Sequence, residues 1–307
     1  MTSTTSHLVI HPDVSAALLS GKAVVALEST IISHGLPSPR NVVVAKEIED
    51  NVRAGGAVPA TIAILDGKVH VGLNDSQLEQ LGDPASNVVK VSTRDLGPVI
   101  ASRANGATTV SATSHIAHLA GIKYFATGGL GGVHRGARET WDESADLVTL
   151  ARTPITVVCA GVKSILDVGA TVERLETLGI TVVGFGTDRF PGFYRADSGY
   201  DVTWRVDTVE QAAAIATERD AIKAPGAIVL AQPVSAEDEL DLALHDATLA
   251  SGLEAATKAN ISGKDVTPFL LDWFHTKTNN ASLEVNVTLI NANARLAAQV
   301  AVAAARP

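Results

Sequence analysis

The chain has 307 residues, 46% of them hydrophobic and only 4% aromatic, with a formal net charge of −9. That much apolar sequence can bury a substantial core, which excludes a wholly disordered chain, and the acidic balance argues against a nucleic-acid surface, which needs clustered Lys and Arg. The single cysteine, Cys159, sits in an apolar run, so no disulfide framework exists and a reducing compartment is expected. No N-terminal run resembles a signal h-region and no stretch reaches the ~18 apolar residues of a membrane span, so the expected location is the cytoplasm.

In chain order, Val24 to Leu27 reads as a short buried strand that runs into the polar loop Glu28 to Gly35. A helix follows, with Ser38 as its expected cap, Pro39 in its first turn, Val44, Ile48 and Val52 on one face, and Gly55-Gly56 closing it. Thr61 to Leu65 and Lys68 to Val71, joined by Asp66-Gly67, predict a hairpin, so the sheet is expected to be mixed. Further strands are predicted at 88–91, 123–127, 155–160, 181–185 and 227–231, with helical patterns between most of them. An acidic helical stretch covers 234–260 and an alanine-rich closing helix 291–305. Strand and helix alternate, aliphatic residues dominate and no linker rich in Pro, Gly or Ser interrupts them. The pattern predicts an α/β fold in one domain spanning residues 1–307.

Several residues could carry chemistry. Lys163 ends the apolar run from Ile155, where an amine can be desolvated into a nucleophile or can simply snorkel to solvent. Glu28 ends an apolar strand and can serve as a general acid or as a cap. Asp142, Glu143 and Asp146 offer hard oxygen ligands for Mg²⁺ or Mn²⁺, while Ser144 and the aspartates equally suit the start of a helix over 147–151. The loop Thr127 to Gly136 lets backbone N–H groups approach a phosphate, with His134 and Arg135 supplying charge; it matches neither a P-loop nor a dinucleotide fingerprint. His115 and His118 are three apart on a predicted helix, but with no third ligand in sight they read as exposed or capping residues.

Five blocks, Ala26 to Gly35, Gly56 to Ala63, Phe125 to Gly136, Val158 to Asp167 and Val266 to Leu271, together resemble the pseudouridine-5'-phosphate glycosidase family, also called indigoidine synthase A-like. The resemblance runs from about Val24 to Val302. It implies a three-layer α/β/α fold with a mixed, mostly parallel sheet, a homotrimer, a divalent metal such as Mn²⁺, and reversible cleavage of pseudouridine 5'-phosphate to uracil and ribose 5-phosphate. Because the bond broken is C–C, two carboxylates around a bridging oxygen do not suffice, and an electron sink is needed. By the resemblance Lys163 is the amine that forms an imine with C1' of ring-opened ribose, and Glu28 is the acid that assists ring opening and proton transfer. Lys90, Val110, Ser144, Ala145 and Asp146 are substrate contacts, Asp142 is the metal ligand, Asn286 bonds the uracil edge, and His134 helps hold the phosphate.

The chain departs from the family's pattern at Thr93, where Arg is common, and at Glu143, where an apolar residue is common. It also has Ala292 before Asn293 where paired Asn is frequent, and Ser235 in place of Pro. These departures bear on substrate range. Two other functions compete with cleavage: a C-ribosylating synthase that runs the same chemistry toward a secondary metabolite, and a catalytically silent sugar-phosphate binding protein.

Overall fold

The computed structural model describes residues 8–305, the side chain of Lys264 excepted. Its strands are β1 (Leu8–Ile10), β2 (Val24–Leu27), β3 (Val58–Leu65), β4 (Lys68–Val71), β5 (Val89–Val91), β6 (Gly106–Thr108), β7 (Tyr124–Ala126), β8 (Thr156–Cys159), β9 (Thr181–Phe185), β10 (Trp204–Val206) and β11 (Ile228–Ala231). They form one sheet of order β1-β4-β3-β2-β7-β8-β11-β9-β10, with β6 also paired to β3 and β5 to β6. Only the two pairings of β3 with β4 and β6 are antiparallel. The sheet is thus mixed and mostly parallel, as expected.

Burial explains the strands. Every residue of β2, β7, β8 and β11 is buried, which is why they appear as unbroken aliphatic runs rather than alternating ones. The long strand β3 joins two regions: Val58 to Thr61 lie beside β2, and Ile62 to Leu65 pair with β4 through the expected tight turn, with Asp66 and Gly67 both at positive φ. The other predicted strands agree to within a residue at their ends, whereas β3 begins at Val58, three residues before the predicted Thr61, because its first half pairs with β2. The short strands β1, β6 and β10 carried no sequence signal.

Helices cover both sides of the sheet. Ala281–Ala305, which begins ten residues before the predicted closing helix, lies along β2, β7 and β8, flanked by Arg40–Ala54 and Val209–Ala221. By length and composition it passes for a membrane span, but half of its apolar window is buried inside the protein and Asn293 faces backbone carbonyls, so it is a core helix. Two helix starts differ from expectation. Ser38 makes no cap to Arg40–Ala54; the chain enters through a cis Ser38–Pro39 bond and Pro39 holds the cap position. The acidic stretch 234–260 becomes helical only from Leu242, with Asp241 as its cap, because Ser235 closes its own turn by bonding Asp238.

Candidate active site

Three neighbouring parallel strands, β2, β7 and β8, deliver Glu28, the glycine-rich loop and Lys163 from their carboxyl ends. After β2 the chain departs to β3 on one side; after β7 it departs to β8 on the other. The diverging connections open a crevice, the position where open α/β sheets bind ligands. A cavity of about 420 Å³ lies there, and all ten residues expected in a site line it: Glu28, Lys90, Val110, His134, Asp142, Ser144, Ala145, Asp146, Lys163 and Asn286.

The Lys163 ammonium donates to the carbonyl of Gly129. The carboxylate of Glu28 accepts from the hydroxyls of Thr30 and Thr127, one on each oxygen, so it is held in place from its own loop and from the neighbouring strand end. Neither threonine was singled out in the sequence, although Thr30 stands two residues beyond Glu28. Asn293 donates to the carbonyl of Thr127 at 2.9 Å, tying the closing helix to the same strand end; its neighbour Ala292 takes no part in these bonds.

Burial pushes the Lys90 ammonium below the usual lysine range and the positive charge of Lys163 adds to this, with Asp146, Glu28 and Asp265 opposing. His34, on the turn Ile31–Gly35, is lowered by burial and then by Lys90. His134 is lowered by burial; Asp142 opposes and Lys90 reinforces that effect.

The acidic cluster divides by partner. Asp146 is buried, and its two oxygens accept the N–H groups of Ser111 and Gly131, both at 2.9 Å, so it locks the glycine loop to the helix Val110–Leu119. Ser144 caps the helix Ala145–Leu150 by accepting the N–H of Asp146 at 3.2 Å. Glu143 pairs with Arg174 at 3.0 Å, so the extra anion is neutralised locally. Asp142 keeps its carboxylate toward the cavity, 3.8 Å from His134 Nδ1. Among the described residues no group of three or more His, Cys, Asp or Glu could hold a metal alone.

Arg135 departs from expectation: its guanidinium turns away to the carbonyls of Ile165 and Ser164, leaving His134 as the basic group the loop presents to the cavity. Thr93 turns its hydroxyl to Thr149, while its neighbour Arg94 lines the cavity and places a cation one residue along. His115 and His118 lie outside the cavity, on the helix Val110–Leu119. Sequence gave no sign of Phe193, a buried wall residue at φ +62°, whose ring occupies the space that a side chain on Gly129 would need. Such a backbone is strained for a bulky residue.

The indigoidine synthase A-like family model matches residues 13–303. The chain belongs to this family. It is 57% identical over 303 residues to the pseudouridine-5'-phosphate glycosidase of Salinispora tropica, covering 98% of this chain and 93% of that protein. It is also 57% identical over 299 residues to that of Streptomyces griseus, covering 97% and 92%. Among solved structures it resembles the prealnumycin C-glycosynthase crystallised with ribulose 5-phosphate, with a TM-score of 0.90, 36% identity, and 98% and 97% of the two chains covered. An indigoidine synthase A-like protein of Thermotoga maritima superposes with a TM-score of 0.88 at 35% identity, covering 97% of each chain.

Proposed function

We propose that the chain is a C-glycosidase that reversibly cleaves pseudouridine 5'-phosphate to uracil and ribose 5-phosphate. The observation that carries this reading is the convergence of one amine, Lys163, and one doubly held carboxyl group, Glu28, from adjacent strand ends into one cavity. In the reacting forms, a neutral Lys163 Nζ bonds to C1' as the C1'–O4' bond opens, and protonated Glu28 delivers its proton to O4' and then takes one from the alkylated nitrogen. The nitrogen lone pair then forms the C1'=N imine as the C1'–C5 bond breaks, and C5 of the departing uracil takes up a proton. Water adds to the imine, releasing open-chain ribose 5-phosphate and the free amine. One water is consumed overall, and the imine is the electron sink that a C–C bond requires.

Asp142 suits a divalent cation such as Mn²⁺ because it offers a hard oxygen while Glu143 and Asp146 are already engaged. A site with one carboxylate leaves the remaining positions to water and phosphate oxygens. Such a cation, when bound, supplies positive charge to organise those oxygens. Lys90, Arg94 and His134 add cationic or hydrogen-bonding groups from the protein. Val110 and Asn286 are read as base and sugar contacts, together with Ser144, Ala145 and Asp146.

The proposal extends to a cytoplasmic homotrimer. Trp141, 84% exposed beside Asp142, is the kind of apolar surface an assembly would cover, and light scattering on the eluted protein measures the mass. The chemistry is tested by supplying ribose 5-phosphate and borohydride, then mapping the adduct by peptide mass spectrometry. A reduced adduct on Lys163 is expected; turnover with no adduct there would refute the imine. The likeness to a C-glycosynthase favours a second reading, joining ribose 5-phosphate to another acceptor. Product assays with uracil and with larger aromatic acceptors separate the two.

A further inference from the structure

Ser164, the residue after Lys163, is 5% exposed, and its hydroxyl lies 2.8 Å from Nε2 of His245, itself 6% exposed. The other ring nitrogen, Nδ1, is 2.9 Å from the carboxylate of Asp246. A carboxylate only accepts, so Nδ1 carries the proton in the neutral ring, Nε2 is the acceptor, and the Ser164 hydroxyl donates to it. His245 stands on the helix Leu242–Lys258, 81 positions along the chain from Ser164, with its ring against Phe274 at 5.5 Å between centroids. The three side chains have the order of a hydrolytic triad, but their serine is buried and outside the cavity lining, so they are not set to attack a substrate.

Lys163 is not on β8 itself: the strand ends at Cys159 and the lysine sits on a turn beyond it. That turn is held by the N–H of Lys163 to the carbonyl of Leu130 at 3.2 Å and by the N–H of Leu166 to the carbonyl of Lys163 at 2.9 Å. Immediately after the lysine, Ser164 is fastened through its hydroxyl to His245 and through its carbonyl to Arg135, at 3.4 Å. The peptide from which the Lys163 stem departs is thereby fixed from two directions. A buried polar pair beside Phe274, whose ring in turn stacks on Tyr194, is a poor way to gain stability, since apolar replacement of both partners can be nearly neutral. Fully satisfied, it confers a fixed geometry.

We infer that His245, acting through Ser164, is a positioning residue for Lys163, aligning its amine on C1'. This rests on the imine reading of Lys163 above. The test compares wild type, His245→Phe/Ser164→Ala, which removes both partners, Ser164→Ala alone, and His245→Gln, which restores an acceptor near the Nε2 position. Three quantities are measured: the rate of borohydride-trapped adduct on Lys163 with ribose 5-phosphate, kcat and KM for pseudouridine 5'-phosphate, and the melting temperature. The double variant is expected to melt near wild type and keep its KM while trapping and kcat fall ~10- to 10²-fold, the scale of a slight misplacement of a reacting group. Ser164→Ala is expected to show the same fall in trapping and kcat while melting lower, because it leaves His245 Nε2 buried and unpaired, and His245→Gln is expected to recover most of the rate. If the double variant does not fold, Ser164→Ala and His245→Gln decide the matter. Trapping at the wild-type rate in Ser164→Ala, or a loss that merely follows the melting temperature and is not recovered by Gln, overturns the inference. No adduct on Lys163 in the wild type overturns the imine reading and this inference with it, whereas a wild-type adduct with unaffected variants removes the inference alone.

Discussion

At the scale of single residues, Lys163 and Glu28 fail in different ways when removed. Lys163→Ala is expected to abolish both cleavage and adduct formation; among the described residues Lys90 is the other lysine lining the cavity, and it projects from β5 rather than from the turn after β8. Glu28→Ala is expected to slow turnover by about 10²-fold, the usual contribution of a positioned acid, while open-chain ribose 5-phosphate still labels Lys163 under borohydride. Wild-type turnover in Glu28→Ala would make it a mere cap. Thr127→Val removes one of the two hydroxyls on Glu28 and is expected to cost roughly tenfold in kcat, or ~1.4 kcal/mol of barrier; an unchanged kcat would show that Thr30 alone orients the acid. For Asp142, chelation is expected to stop turnover and Mn²⁺ to restore it in the wild type but not in Asp142→Ala. Full activity in chelator would leave Asp142 without a metal role.

At the scale of elements, the strand-end loops are shaped by glycines with particular neighbours. Gly161, at φ +73°, would place a Cβ 2.0 Å from the carbonyl oxygen of Pro191. Gly179, at φ +69°, has nothing within 4 Å of the same position. Gly179→Ala therefore carries the backbone cost alone, about 1–2 kcal/mol, while Gly161→Ala adds a clash with main chain beneath Lys163 and is expected to destabilise by clearly more. Urea unfolding of the two variants checks this; equal losses would show that the Pro191 segment yields. The glycine density of Thr127 to Gly136 suggested phosphate approach, and the loop does border the cavity. Part of its glycine requirement is internal, however: Cβ atoms on Gly129 and Gly131 would run into Phe193 and into Ser144 and Asp146. No local pattern could reveal that.

At the scale of the whole molecule, burial depresses His34, His70, His115, His134 and His275 below the ordinary imidazole value of 6.5. As pH falls through that value the unfolded chain takes up protons that the folded protein resists, so stability is complete above it and declines below. The melting temperature is expected to be flat from about pH 8 to pH 7 and to fall from about pH 6.5 to pH 5. The lowered carboxyl groups of Asp220 and Glu284 act only at more acidic pH, because their ordinary values are 3.8 and 4.5. A melting temperature constant to about pH 5 would mean that these imidazoles protonate without cost in the fold.

The sequence by itself determined the buried parallel strands, because a strand covered on both faces must be aliphatic throughout, and the β3–β4 turn, because Asp66-Gly67 can adopt positive φ at little cost. It also indicated Glu28 and Lys163, charged residues that end apolar runs. What each polar group does with its charge was decided only in the tertiary structure. Arg135 binds backbone carbonyls, Glu143 meets Arg174 across 31 positions, Asp146 fastens two N–H groups, and Ser164 finds His245 across 81. The strands β1, β6 and β10, three residues each, likewise exist through pairing with distant partners. A burial pattern is written along the chain, whereas a hydrogen-bond partner far away in sequence is set by which segments the sheet brings side by side.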